Sequence, residues 1–104
     1  MYRIMLCCSA GMSTSLLVTK MRQAAAEREL PVRIDAYSVA EFSEQVGQYQ
    51  VVLLGPQVKY MLDDLQEKAK DYHVAVDVIN MADYGMQKGT NVLEQALSLI
   101  DDAA

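Results

Sequence analysis

With 104 residues, of which 52% are apolar and 22% charged, the chain is expected to form one domain, 1–104, around a single modest core, and disorder is excluded. A net charge of −5 argues against nucleic acid as a partner, and no apolar run approaches the length of a membrane span or a signal peptide, so direct membrane insertion is not expected. The two cysteines, Cys7 and Cys8, are adjacent, a spacing that rarely forms an unstrained disulfide, and a reducing, cytoplasmic setting follows.

Apolar runs alternate with amphipathic segments along the whole chain, without repeat or linker. Tyr2–Cys8 reads as a first buried strand. From Thr14 onward a helix is expected, with Leu17, Val18, Met21, Ala24 and Ala25 on one face and Lys20, Arg22, Gln23, Glu27 and Arg28 mostly on the other. Pro31 closes that helix, and Val32, Ile34 and Ala36 alternate as a second strand. Ser38 and Glu41 have capping-box spacing before a short helix on which Val39, Phe42 and Val46 share a face and which Gly47 can stop.

Val51–Leu54 is continuously apolar, as a central parallel strand is. Gly55-Pro56 breaks it, and proline suits the first turn of the helix that follows, striped by Val58, Met61, Leu62, Leu65 and Ala69. His73–Ile79 reads as a fourth strand, Asn80–Asn91 as a polar loop, and Leu93, Ala96, Leu97 and Ile100 as the stripe of a last helix. The resulting βαβαβαβα order implies an α/β fold, a single doubly wound domain whose four-stranded parallel sheet in order 2-1-3-4 carries helices on both faces. Ligands of such sheets bind at the carboxyl ends of strands where the order switches. Cys8 ends the first strand and Gly55-Pro56-Gln57 follows the third, so the two loops are expected to face each other.

The segment Cys8-Ser-Ala-Gly-Met-Ser-Thr-Ser15 carries the chemistry. A loop between a strand and a helix start turns backbone N–H groups and the positive end of the helix dipole toward an anion. The same arrangement stabilises negative charge on sulfur and makes a nucleophile of Cys8. A thiol in a phosphate-sized cradle suggests phosphoryl transfer through a phosphocysteine. Ser9, Ala10, Gly11, Met12, Ser13, Thr14 and Ser15 would form the cradle, with N–H groups from Gly11, Met12 and their neighbours and a hydroxyl from Ser13, Thr14 or Ser15. Gly11 suits close approach of backbone to an anion. Cysteine phosphatases use a related C-x5-R loop, but here the arginine position is Thr14, so the fixed cation that assists hydrolysis is missing. A cradle that accepts phosphate yet gives it poorly to water suits a relay. Gln57 and Tyr60 are candidate supporting residues across the site, and Met12 is a candidate for the surface that meets a partner. His73, the only histidine, is expected at the amino edge of the sheet, away from the site. Strand alternation sends Cys7 to the opposite face from Cys8, where it packs as a small hydrophobe.

In CSAGMSTSLLV (Cys8–Val18), VVLLGPQVKYM (Val51–Met61), the late Tyr84-Gly85, Gly89 and Val92-Leu93, the chain resembles the enzyme IIB components of the lactose/cellobiose (N,N'-diacetylchitobiose) class of the bacterial phosphoenolpyruvate-dependent sugar phosphotransferase system. The resemblance spans nearly the whole length and implies the same four-stranded parallel sheet. It implies that Cys8 accepts a phosphoryl group from a phosphohistidine of a IIA component and passes it to a sugar held by a membrane IIC component. The sugar class it favours is a β-linked disaccharide such as cellobiose or chitobiose. No metal or organic cofactor is implied. Cys7 departs from the apolar residue usual at that position in the family. Two rival readings use the same loop. One is a small cysteine phosphatase or arsenate-reductase-like enzyme, disfavoured by Thr14 and by the lack of an evident loop aspartate as general acid. The other is a non-enzymatic domain that binds a phosphorylated ligand.

Overall fold

The computed structural model describes residues 1–9 and 12–103, with the side chains of residues 12–14 and 103 left out. Four strands, β1 (Tyr2–Cys8), β2 (Val32–Ser38), β3 (Val51–Leu54) and β4 (Ala75–Val78), form one sheet in the order β2-β1-β3-β4, with every neighbouring pair parallel. This is the expected 2-1-3-4 order. Chain crossovers leave β1 and β3 in opposite directions, so the switch point falls between their carboxyl ends. The register there sets Cys7 beside Leu54 on one flank and Cys8 beside Ser38 on the other.

Each face of the sheet buries its own apolar layer, because alternate residues of a strand point to opposite sides. Ile4, Leu6, Ile34, Val51 and Leu53 pack under helices α1 (Met12–Glu27) and α5 (Gly89–Ala103). The expected stripe of α1, Leu17, Val18, Met21, Ala24 and Ala25, is buried there, as are Val92, Leu93, Ala96, Leu97 and Ile100 of α5. Met5, Cys7, Val52, Leu54 and Val76 pack on the other face against Phe42 of α2 (Phe42–Gln45) and Leu65 and Ala69 of α3 (Leu62–Ala69). Burial of each such leucine or isoleucine contributes about 2 kcal/mol.

The two helices of the first layer approach each other closely at Gly89. A Cβ there would lie 2.6 Å from the carbonyl carbon of Lys20 on α1, so only a residue without a side chain admits this approach.

Element ends differ from expectation at several points, each for a local reason. Helix α1 begins at Met12, not Thr14, drawing two loop residues into its first turn. It stops at Glu27, before Pro31 is reached. Glu29 turns left-handed (φ 54°), and Leu30 N–H closes back on Ala25 O (2.9 Å) while Glu29 N–H reaches Ala26 O (3.1 Å). The Ser38–Glu41 capping box does not form. Val39–Glu41 is a tight 3₁₀ turn, the Ser38 side chain makes no capping bond, and α2 spans only one turn beyond it. Gly47 lies inside a second 3₁₀ turn, Val46–Gln48, which ends when Tyr49 becomes extended.

Pro56 opens a 3₁₀ stretch, Pro56–Met61, with Gly55 as its extended N-cap, and this stretch leads into α3. His73 does not open β4. It adopts a left-handed conformation (φ 57°) that ends the turn after α3, and the strand starts at Ala75. The Asn80–Asn91 segment is not a simple loop. It holds a short helix α4 (Met81–Gly85), capped by Asn80, whose side chain accepts from Asp83 N–H at 3.2 Å, and α5 has already begun at Gly89.

Candidate functional site

Cys8 is the last residue of β1, on the side of the sheet that carries α1, and α1 starts four residues further on. It is completely buried. Beyond the last rung of the β1–β3 ladder, Gly55 N–H donates to Cys7 O (2.8 Å), which brings Gly55 alongside Cys8. A Cβ at Gly55 would stand 3.5 Å from Cys8 Cβ and only 2.5 Å from Gln57 Oε1. The third strand's loop therefore lies against the cysteine, and the missing side chain of Gly55 is what leaves room for Gln57 to fold back. The first turn of α1 contains no acidic residue, so nothing there offsets the positive end of its dipole.

Gln57 is held from beyond. Its Nε2 donates to the hydroxyl of Tyr84 at 3.2 Å. Tyr84 sits on α4, which follows β4 and is anchored by Asn80 and by Asn91 Nδ2 donating to Asp83 Oδ1 (3.0 Å). Three consecutive strand ends of the sheet thus contribute, with Cys8 from β1, Gly55 and Gln57 after β3, and Tyr84 after β4. Tyr84 was legible in the sequence only as part of a resemblance. The signal that would have singled it out is its place after the fourth strand, on the same edge as Gln57.

The other expected residues distribute as follows. Ser9 is exposed directly after the strand, and Ser15 is exposed in the first turn of α1, where its carbonyl accepts from Thr19 Oγ1 (3.2 Å). Ala10 and Gly11 lie outside the described residues, as do the side chains of Met12, Ser13 and Thr14, whose backbones form the start of α1. Tyr60 is 79% exposed on the Pro56–Met61 turn, and no described contact ties it to Cys8. Among the described residues no group of three or more His, Cys, Asp or Glu could hold a metal, and no helix is long and apolar enough to cross a membrane.

Cys7 provides the contrast. It faces the α2–α3 layer, wholly buried among apolar side chains, and its thiol is pushed up to about 12, by burial first and then by the nearby Cys8 and Glu41.

The structure is thus an α/β domain with a buried cysteine at the switch point, beside a helix start and a glycine-bearing loop. Residues 3–95 match the family model described as the lactose/cellobiose-specific IIB subunit of the PTS system, the phosphotransferase system, and the chain belongs to that family. Among relatives, it is 43% identical over 100 residues to the oligo-β-mannoside-specific EIIB component of Bacillus subtilis (strain 168), covering 96% of this chain and 97% of that protein. It is 45% identical to the galactose-specific EIIB component of Lactococcus lactis subsp. cremoris (strain MG1363), with 94% of this chain and 95% of that one covered. It is 44% identical to the cellobiose-specific EIIB component of Lactococcus lactis subsp. lactis (strain IL1403), at the same coverage. The solution structure of a cellobiose-specific IIB component from Borrelia burgdorferi superposes with a TM-score of 0.82 at 34% identity, over 99% of this chain and 94% of that one. The lactose-specific IIB domain from Streptococcus pneumoniae shares the fold alone, with a TM-score of 0.86 at 15% identity over 94% and 96% of the two chains. The protein is thus a IIB-type phosphotransferase component acting in sugar uptake.

Proposed function

We propose that Cys8 is the phosphorylated residue of a 1–104 IIB unit that works in the cytoplasm between a IIA donor and a membrane IIC acceptor. The single observation that carries this is the placement of Cys8 at the carboxyl end of β1, against Gly55 and ahead of the α1 N-terminus. In the first half-reaction the Cys8 sulfur attacks the phosphorus of a phosphohistidine. The S–P bond forms as the N–P bond breaks, and the imidazole leaves. In the second, a hydroxyl oxygen of the sugar attacks the same phosphorus and the thiolate departs. Backbone N–H groups of Ser9–Ser15 and a hydroxyl from Ser13, Thr14 or Ser15 hold the phosphoryl oxygens, taking the place of a metal or a fixed arginine. Gln57, steadied by Tyr84, lines the same mouth from the β3 side, whereas Tyr60 is left to a partner-facing role by its exposure.

The donor must dock over this edge and reach a sulfur with no exposed surface, so docking and uncovering are one event. Met12 is the apolar contact proposed for that docking, because a thioether excludes water without demanding a rigid fit. The relatives named for oligo-β-mannoside and cellobiose support a β-linked disaccharide such as cellobiose or chitobiose as the transported sugar, and the galactose-specific relative marks the alternative.

Intact-mass measurement after incubation with a phosphorylated IIA component tests the assignment. One phosphoryl group should appear on the wild-type chain and none on Cys8→Ser. Undiminished phosphorylation of Cys8→Ser rules Cys8 out. Met12→Asp should slow the loading step while leaving the fold unchanged, and an unaltered rate would remove Met12 from the docking surface.

A further inference from the structure

The sheet has two free edges, and they are finished differently. On β4, Ala75 and Ile79 direct their N–H groups to Gln50 O and Leu54 O, so the backbone groups of Val76, Val78 and Asn80 face outward. Side chains take up four of these groups. Gln66 Nε2 donates to Val76 O (2.9 Å), Gln95 Nε2 donates to Val78 O (2.8 Å), Asn80 N–H donates to Gln95 Oε1 (3.3 Å), and Val78 N–H donates to Asp77 Oδ1 (2.7 Å). Another strand finds little left to pair with on this side.

On β2, Tyr2 N–H donates to Pro31 O (2.9 Å), which sets the odd-numbered residues toward β1 and leaves Val32, Ile34 and Ala36 outward. Among the described residues one side chain meets this row. Arg22, from α1, lays its guanidinium across the edge. Its Nε donates to Ile34 O at 3.0 Å, and Nη2 donates to that oxygen and, at 3.2 Å, to Asp35 Oδ1. Ile34 and Asp35 point to opposite faces, so the guanidinium straddles the strand. Arg33 Nε (3.0 Å) and the Tyr49 hydroxyl (2.6 Å) hold the second carboxylate oxygen of Asp35.

We propose that the β2 edge is an interface for a second copy of this chain and that Arg22 is the guard that keeps it closed. The occupant follows from the sequence of β2. An antiparallel pairing centred on Ile34 sets Val32 opposite Ala36, and Arg33 opposite Asp35, of the second copy. The outward residues then fall at the hydrogen-bonded positions of the antiparallel ladder, and both Arg33–Asp35 cross-strand pairs bring opposite charges together. Such pairing is isologous and stops at two chains, because the β4 edge of each is already sealed. While Arg22 occupies Ile34 O, the central rung of that ladder is blocked.

Sedimentation equilibrium on the full chain tests this, with circular dichroism confirming that each variant is folded. Arg22 is over half exposed, and alanine is a favourable helix residue, so Arg22→Ala should fold as the wild type does. It should self-associate to a dimer with a dissociation constant lower by about tenfold or more, the loss of a charge-assisted bond to one acceptor. In the Arg22→Ala background, adding Arg33→Glu or Asp35→Lys should abolish the dimer of either variant alone, through like-charge opposition. An equimolar mixture of the two should restore a heterodimer. Arg22→Ala dimerising no more tightly than the wild type overturns the guard. Dimers that persist in each charge variant alone place the contact elsewhere and overturn the interface.

Discussion

Cys7 and Cys8 are neighbours in the chain, and both are wholly buried, yet the pleat of β1 gives them different surroundings. Cys7 has Leu54 as its rung partner on β3 and packs into the apolar layer under α2 and α3. Cys8 stands one residue further, beside the strand break at Gly55 and ahead of the α1 start, on the other face. Burial is therefore no guide to which thiol reacts. On the proposed function, what would decide is whether the ladder continues past the residue or opens into a loop and a helix N-terminus. One thiol is a piece of core that happens to contain sulfur, and the other stands where the strand ends beside a glycine.

The largest expected effect tests that division directly. Cys8→Ser should lose phosphoryl acceptance to background, while Cys7→Ala should keep most of it and lose about 1–2 kcal/mol of stability from the vacated packing. Loading assays and urea unfolding of both variants read the two quantities. Cys7→Ala losing acceptance with stability intact would reverse the roles.

Next come the two glycines that set the helix and the loop around Cys8. Gly89→Ala would drive a methyl group into the Lys20 backbone, which cannot swing aside, and should cost about 2–3 kcal/mol by forcing α1 and α5 apart. Gly55→Ala meets the end of a flexible side chain, Gln57 Oε1, and should cost little stability. It should instead dislodge Gln57 from Tyr84 and slow transfer several-fold, an order-of-magnitude expectation for a misplaced positioning contact. Equal destabilisation by both substitutions would dissolve the distinction between frame and site.

The alkaline limb sharpens the contrast further. The Cys7 thiol is raised from 9.0 to about 12 in the folded chain, so between these values the folded state keeps a proton that the unfolded state has lost. Stability from this group is complete below pH 9.0 and falls as pH climbs toward 12, by at most about 1.4 kcal/mol per pH unit. The difference between wild type and Cys7→Ala in unfolding free energy should shrink across that window, and a constant difference would mean that Cys7 ionises freely. At neutral pH, alkylation of the native chain should modify Cys8 slowly, through local opening at the strand end, and leave Cys7 untouched until denaturant is added.

The smallest effect concerns hydrolysis. If the phosphoryl group rests in the loop that opens α1, Thr14→Arg should speed loss of phosphate from loaded protein by roughly tenfold, well short of a true phosphatase. Measuring the decay of the loaded mass checks this, and an unchanged half-life would show that Thr14 does not approach the group.

Much of this architecture was legible in the residues because hydrophobic period is a core property. The β1 and β3 runs, the α1 and α5 stripes and the parallel order all follow from what must be buried. Element ends were less legible, since they depend on turns that tertiary packing selects. His73 reads as a strand residue by pattern but is used to reverse the chain at positive φ. Ser38 and Glu41 have the right spacing for a capping box, but the chain takes a 3₁₀ turn there and the Ser38 side chain makes no capping bond. At the site, the Cys8–Gly55 approach was anticipated from topology. The Gln57–Tyr84 contact joins residues 27 apart and depends on α4, which the polar Asn80–Asn91 composition conceals.

The complete covering of Cys8 has a kinetic consequence. A small reagent can meet this sulfur only when the structure opens, so its apparent rate is the intrinsic rate multiplied by the open fraction. Peroxide, which would carry the thiol up the oxidation ladder, faces the same discount as an alkylating agent. A docking partner that stabilises the open form escapes it. If Cys8 is the phosphoryl acceptor proposed above, the fold would separate partner chemistry from stray chemistry by access. Such a covered thiol would age at the rate it opens, not at the rate its sulfur could react.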